Sequence, residues 1–211
     1  LEIEKIPTNS NLLKDCYEAY KSKWKQMFFQ LHHNEEELNR QFIEIYGLQD
    51  ELTPDVPLKE ITILQEETSI ENGELVFHAN KVLEQFVSYA VGCMFGRYSM
   101  DKEGLILANQ GETLQDYLEK VDKKEEELTF VPDRDNIIPV LDDEWFRDDI
   151  VERFHAFLKA SFGEQNFRKN LDFVEESLGK DIRKYFTRGF YKDHIRRYKK
   201  RPIYWMFSSP K

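Results

Sequence analysis

The sequence predicts a mainly α fold with a few short β-strands, in which a long N-terminal helix packs on a helical domain. Three observations carry this. Apolar residues recur at alternating steps of four and three from Leu13 to Leu31. A second run, residues 79–95, is apolar nearly all round a helical axis. In the last third, helical spacing is punctuated by Gly163 and Gly179. The expected division is residues 1–50 as a heptad-patterned helix and residues 51–211 as a mainly helical domain with short strands, truncated at its C-terminal strand. With 211 residues, 40% of them apolar, the chain is long enough to bury about 70% of its unfolded surface without disulfides or metals.

The first helix follows an extended start, LEIEKIP, and N-cap oxygens are offered by Thr8, Asn9 and Ser10. Its seam runs through Leu13, Tyr17, Tyr20, Trp24, Met27, Leu31 and Leu38, interrupted once by Asn34, and continues less strictly through Phe42 and Ile45 to Gly47. Unbroken from Ser10 to Tyr46, it would be about 55 Å long, a length suited to bracing neighbours. A proline-punctuated connector then leads to an expected strand at residues 60–64, and Asn72-Gly73 signals a turn. Residues 79–95 read as a buried central helix. A short strand is expected at residues 105–108, and a helix at residues 113–124 opened by a capping box of Thr113 and Asp116.

Asp142 is the expected cap of a helix whose Phe146, Ile150, Phe154, Phe157 and Phe162 form one face, stopped by Gly163. A shorter helix with Phe167, Leu171, Val174 and Leu178 ends at Gly179. In the next helix Ile182, Tyr185, Phe186 and Phe190 point one way, whereas Tyr191, Ile195 and Tyr198 point roughly opposite, so a kink or break is expected near Gly189. The chain closes on YKKRPIYWMFSSPK, a basic cluster running into an expected strand at residues 203–207 whose sheet partners would lie beyond Lys211. Together with the absence of an initiator Met, this reads as a segment cut from a longer protein.

Composition and motifs exclude several classes of function. Cys16 and Cys93 lie in apolar helical contexts without CxxC or Cys/His spacing, against a disulfide framework or zinc site and in keeping with a reducing cytoplasmic setting. No signal peptide opens the chain, and its most apolar run, residues 86–95, is too short to cross a bilayer, so no membrane partner is expected. The acidic runs Glu35 to Glu37 and Glu125 to Glu127 read as solvated faces, and His32 and His33, each with a Glu one turn on, lack a third ligand. Pro54-Asp55 and Pro132-Asp133 have no acid-x-Lys partner at nuclease spacing, and no GxSxG occurs. Gly92 and Gly96 form neither a P-loop nor a dinucleotide fingerprint and read as close packing or a helix stop. No catalytic residue, metal ligand or cofactor-binding residue is assigned.

What survives is a charge partition. Residues 180–201 carry ten Lys or Arg against Asp181 and Asp193, a net of +8, so the chain's −10 leaves −18 for the remainder. A concentrated basic segment makes a local field that the average conceals. The candidate DNA-binding residues are Arg183, Lys184, Arg188, Lys192, Arg196, Arg197, Lys199, Lys200 and Arg201, with Tyr185, Tyr191, Tyr198, Tyr204 and Trp205 available to stack. The alternative from residues alone is a charged helix face with core aromatics behind it.

Five stretches carry a more specific signal: NEEELNRQFIEIYGLQDELTPDV (34–56), SYAVGCMFGRYSMDKEGL (88–105), FVPDRDNIIPVLDDEWFRDDIVERF (130–154), NLDFVEESLG (170–179) and FYKDHIRRYKKRPIYWMFSSPK (190–211). Together they resemble the carboxy-terminal half of adenine-specific DNA methyltransferases of phage-exclusion or phage growth limitation systems, which are related to restriction-modification enzymes. The resemblance implies a parent enzyme that uses S-adenosylmethionine to methylate adenine N6 in double-stranded DNA, flipping the base against an Asn/Asp-Pro-Pro-Tyr/Phe motif. Here all seven prolines stand alone and the glycine loop for the methyl donor is missing. The expectation is therefore a non-catalytic DNA-recognition or scaffold segment without its own cofactor. Its expected partners are duplex DNA, the upstream methyltransferase domain and other phage-defence proteins. The alternative is a protein-protein interaction scaffold of the defence complex with no direct DNA contact.

Overall fold

The computed structural model describes residues 10–143 and 145–207. Helix α1 spans Leu13–Tyr46 and ends at Gly47, whose left-handed φ of 66° lets its N–H and that of Leu48 return to the last carbonyls of the helix. The helix starts at Leu13, later than the expected Ser10, and no side chain of its own caps it. Instead Asn170, 1% exposed in the fifth helix, accepts from Leu13 N–H at 2.8 Å and donates to Asn11 O at 3.1 Å. Thr8 and Asn9 lie outside the described residues.

The strand expected at residues 60–64 is not formed. A 3-10 turn, Leu58–Glu60, occupies its start, and a run of turns follows. Pairing falls instead on Thr68–Glu71 (β1) and Glu74–Phe77 (β2), antiparallel with Thr68 opposite Phe77. Asn72 and Gly73 both adopt positive φ between them, the geometry that a two-residue hairpin needs. The isolated run at 60–64 has no such turn to return it upon itself.

The core is built around α2, Ala79–Met94, and the reading of it as a buried central helix holds: Val82, Leu83, Phe86, Val87, Ala90, Val91 and Met94 are buried. Phe86 lies 5.8 to 6.4 Å from Phe154, Phe157 and Phe162 of α4, Ile150–Phe162. Such ring pairs add roughly 0.5 to 1.5 kcal/mol beyond the area they bury. Gly92 is required where the chain turns back, because a Cβ there would sit 2.4 Å from the ring of Tyr98.

Residues 105–108 form no strand; Ile106 and Leu107 donate singly to Arg97 O and Gly96 O. Ile106 packs with Tyr117 and Val121 of α3, Leu114–Val121, in a small second cluster. The capping box of Thr113 and Asp116 forms as expected. The cap of α4 is Asp149, not Asp142. Its carboxylate accepts from Val151 N–H at 3.0 Å and Glu152 N–H at 2.9 Å, while Phe146 lies outside the helix, exposed. Apolar spacing misplaces this cap because Phe146 fits the stripe by position but not by burial.

Gly163 and Gly179 stop α4 and α5, Phe167–Leu178, as expected. α5 covers the N-terminal half of α1, with Tyr17 and Phe173 rings 5.9 Å apart. The last helical run is α6, Ile182–Tyr185, a π-helical turn, Phe186–Phe190, and α7, Tyr191–Arg197.

Candidate nucleic-acid interface

The expected irregularity near Gly189 is the π turn. A π turn takes in an extra residue, and Ile182, Phe186, Phe190 and His194 all stay on the buried side. The apolar face therefore does not change sides as expected. Tyr191 and Ile195 line a surface cleft of about 360 Å³ with Phe186, Thr187, Arg188, Lys192 and Met206.

The strand expected at residues 203–207 does not form among the described residues. Lys199 and Lys200 take positive φ of 50° and 64° and turn the chain back onto α7. His194, 2% exposed, then accepts from Ile203 N–H at 3.1 Å and Tyr204 N–H at 3.3 Å through Nε2, occupying donors that a strand would offer to a neighbour. The Tyr204 ring stacks on Phe95 at 4.9 Å and lies 5.0 Å from His194. Burial, with the charge of Arg197 beside it, holds the His194 pKa below its ordinary 6.5, and burial pushes the Tyr204 hydroxyl up. This clasp has no sequence signal beyond a histidine one turn after Phe190.

The nine candidate cations occupy different settings. Arg183 is built into the fold: it reaches Asp149, a fully buried carboxylate, at 2.6 Å and donates to Leu141 O and Asp143 O. Arg196 bridges Glu84 at 3.1 Å and Asp193 at 3.3 Å, and Lys184 pairs with Asp181 at 3.0 Å. Arg197 faces a cleft of about 760 Å³ with Tyr89, Tyr98 and Tyr198. Arg188, Lys192, Lys199, Lys200 and Arg201 are exposed, and among the described residues none of the five enters an ion pair. Trp205 and Phe207 are exposed just beyond them. The segment thus presents uncommitted cations and two open rings, donors and stacking faces suited to a polyanion of phosphates and bases. No group of three His, Cys, Asp or Glu among the described residues is placed to hold a metal ion. No helix among them is long and apolar enough to cross a membrane.

No protein-family model matches the chain. It is 37% identical over 204 residues to a protein of Lacticaseibacillus casei (strain Zhang) named adenine-specific methyltransferase PglX, an alignment covering 92% of this chain and 15% of that relative. It is 35% identical over 212 residues to a protein of Escherichia coli O9:H4 (strain HS) named adenine-specific methyltransferase BrxX, covering 92% of this chain and 17% of the relative. The chain therefore spans about a sixth of the length of the curated relatives it matches.

Proposed function

The chain is a homologue of one segment of the adenine-specific methyltransferases, and from that premise we propose that it is a DNA-recognition and scaffold segment of a longer adenine-N6 DNA methyltransferase acting in phage defence. The observation that carries this reading is the set of five exposed cations, Arg188, Lys192, Lys199, Lys200 and Arg201, which enter no ion pair among the described residues, at one end of a chain whose remainder is strongly acidic. Its chemistry is phosphate neutralisation, which positions a duplex without reading its sequence. Arg183 and Arg196 serve the interface from behind, by pinning α6 to Asp149 and α7 to Glu84.

S-adenosylmethionine, the methyl donor that the resemblance implies for the longer enzyme, does not fit the residues present. The backbone of Gly92 is covered by Tyr98 and that of Gly96 by Leu107 and Tyr117, and no run of glycines offers a cradle. Methyl transfer is assigned to parts of the longer protein outside this chain.

The test is duplex DNA binding followed by fluorescence anisotropy across a salt series. Weak, sequence-independent binding is expected, with a log-log slope approaching about −4.5 if all five cations engage, at about −0.9 per phosphate contact. Lys192→Glu, Lys199→Glu, Lys200→Glu and Arg201→Glu together should abolish it while leaving the melting temperature within a few degrees of wild type, because none of the four side chains is in an ion pair among the described residues. Absence of binding at low salt, or an unchanged slope in the variant, would sink the reading.

A further inference from the structure

The apolar stripe of α1 does not end where the core ends. At about 100° per residue, Leu13, Tyr17, Tyr20, Trp24, Met27, Leu31, Leu38, Phe42 and Ile45 fall within about 80° of one another. Leu13, Tyr17 and Tyr20 are buried, and Trp24 packs partly covered against the same core. Further along the same line Met27 is 50% exposed, Leu38 53%, Phe42 50% and Ile45 73%, with Tyr46 at 70% stacked on Phe42. The connector after α1 does fold back along the helix, but on another side. His32 Nε2 meets Val56 O at 2.7 Å, Asn39 donates to Pro54 O at 3.3 Å and Val56 N–H donates to Glu36 at 3.3 Å. His32, Asn39 and Glu36 are centred about 120° round the helix from the stripe. Among the described residues the stripe stays open from Met27 onward, except at half-buried Leu31.

A row of large apolar side chains left bare on a helix marks an interaction surface, and two properties identify its occupant. The first is continuity: the N-terminal part of the same stripe is covered by a helix, α5, and the four-three spacing persists into the bare half, so a helix is the element that fits. The second is charge. Residues 34–51 carry six carboxylates, Glu35, Glu36, Glu37, Glu44, Asp50 and Glu51, against one cation, Arg40, which already pairs with Glu37. A second copy laid along the stripe would set these acids against their own kind, whereas a helix with basic flanks would neutralise them. We infer that the distal half of α1, from Met27 to Ile45, is a docking surface for an amphipathic helix whose apolar stripe is flanked by Lys and Arg.

This inference does not depend on the DNA reading, since the surface lies on a different element from the exposed cations. The probes are two synthetic three-heptad helices with Leu at both seam positions, one with Lys and Arg at the flanking positions and one with Glu. Fluorescence anisotropy with the full 211-residue chain should show the basic peptide binding about tenfold or more tightly than the acidic one. Phe42→Glu with Ile45→Glu should remove that binding, although it adds negative charge that would strengthen any merely electrostatic attraction. Both positions are exposed, and circular dichroism before and after the change should superimpose. Sedimentation equilibrium should find the wild-type chain monomeric. Equal binding of both peptides, binding of neither, or a wild-type dimer dissolved by the double substitution would each overturn the proposal, the last in favour of a second copy as occupant.

Discussion

Arg183 shows why a cation singled out by its neighbours in sequence can have its purpose elsewhere. Asp149 is wholly buried, caps α4 with one oxygen and meets Arg183 with the other. Removing the guanidinium strands a carboxylate away from water, so Arg183→Ala should cost roughly 3 to 5 kcal/mol. Lys184→Ala, one residue on and paired only at the surface, should stay within about 0.5 kcal/mol; urea unfolding of the two variants checks the contrast. His194 makes a second residue-scale prediction. Its folded pKa lies below 6.5, so the folded state binds fewer protons than the unfolded one in that range, and stability rises with pH. The stabilisation is present above about 6.5 and is lost as pH falls from there through the folded pKa, because a protonated Nε2 can no longer accept from Ile203 and Tyr204. Asp101, Asp116 and Asp181, held low by their hydrogen bonds and ion pairs, give up their share only below their ordinary 3.8. Melting temperatures measured between pH 7.5 and pH 5 should therefore fall in wild type and fall less in His194→Gln, relative to their own values at neutral pH.

Elements with a local cause are legible in the sequence, and those with a distant cause are not. Gly47, Gly163 and Gly179 end helices because they relieve the backbone at the point where each helix stops, and the Thr113 and Asp116 box closes within one turn. The start of α1 departs from expectation because its cap comes from Asn170, 157 residues away. The tail at 203–207 has strand composition, yet His194 claims its amides first. The π turn is legible as a fault in periodicity but not in kind. An extra residue in the turn and a reversal of the apolar face both break the four-three rhythm, and only packing distinguishes them. Deleting Gly189 should turn the π segment into ordinary helix and leave Ile182, Phe186, Phe190 and His194 on one face, because the deletion removes the same rotation of about 100° that the π turn absorbs. The clasp on the tail should persist, and trypsin should cut at Lys199, Lys200 and Arg201 no more than about twofold faster than in wild type, whereas a markedly faster cut would show that the π turn does not absorb a residue.

Across the whole molecule, the partition of charge read from composition has a structural counterpart, but an uneven one. The tally of ten cations in residues 180–201 does not reveal that Arg183 and Arg196 are tied to Asp149 and Glu84, 34 and 112 residues distant. Only side-chain pairing separates the cations that hold the fold from those open to another molecule. The same holds at the opposite end, where one heptad pattern describes both the rooted and the bare half of α1. That helix has 34 residues, about 51 Å at 1.5 Å each; among the described residues the main hydrophobic cluster holds it near its start, and beyond that it is met by the connector at residues 54–56. It is in effect a lever. Tilting its root by about 5° would carry Tyr46 about 4 Å sideways at that length, so a slight repacking of Leu13 and Tyr17 against α5 would be magnified at the tip, and a pull at the tip would be felt at Asn170.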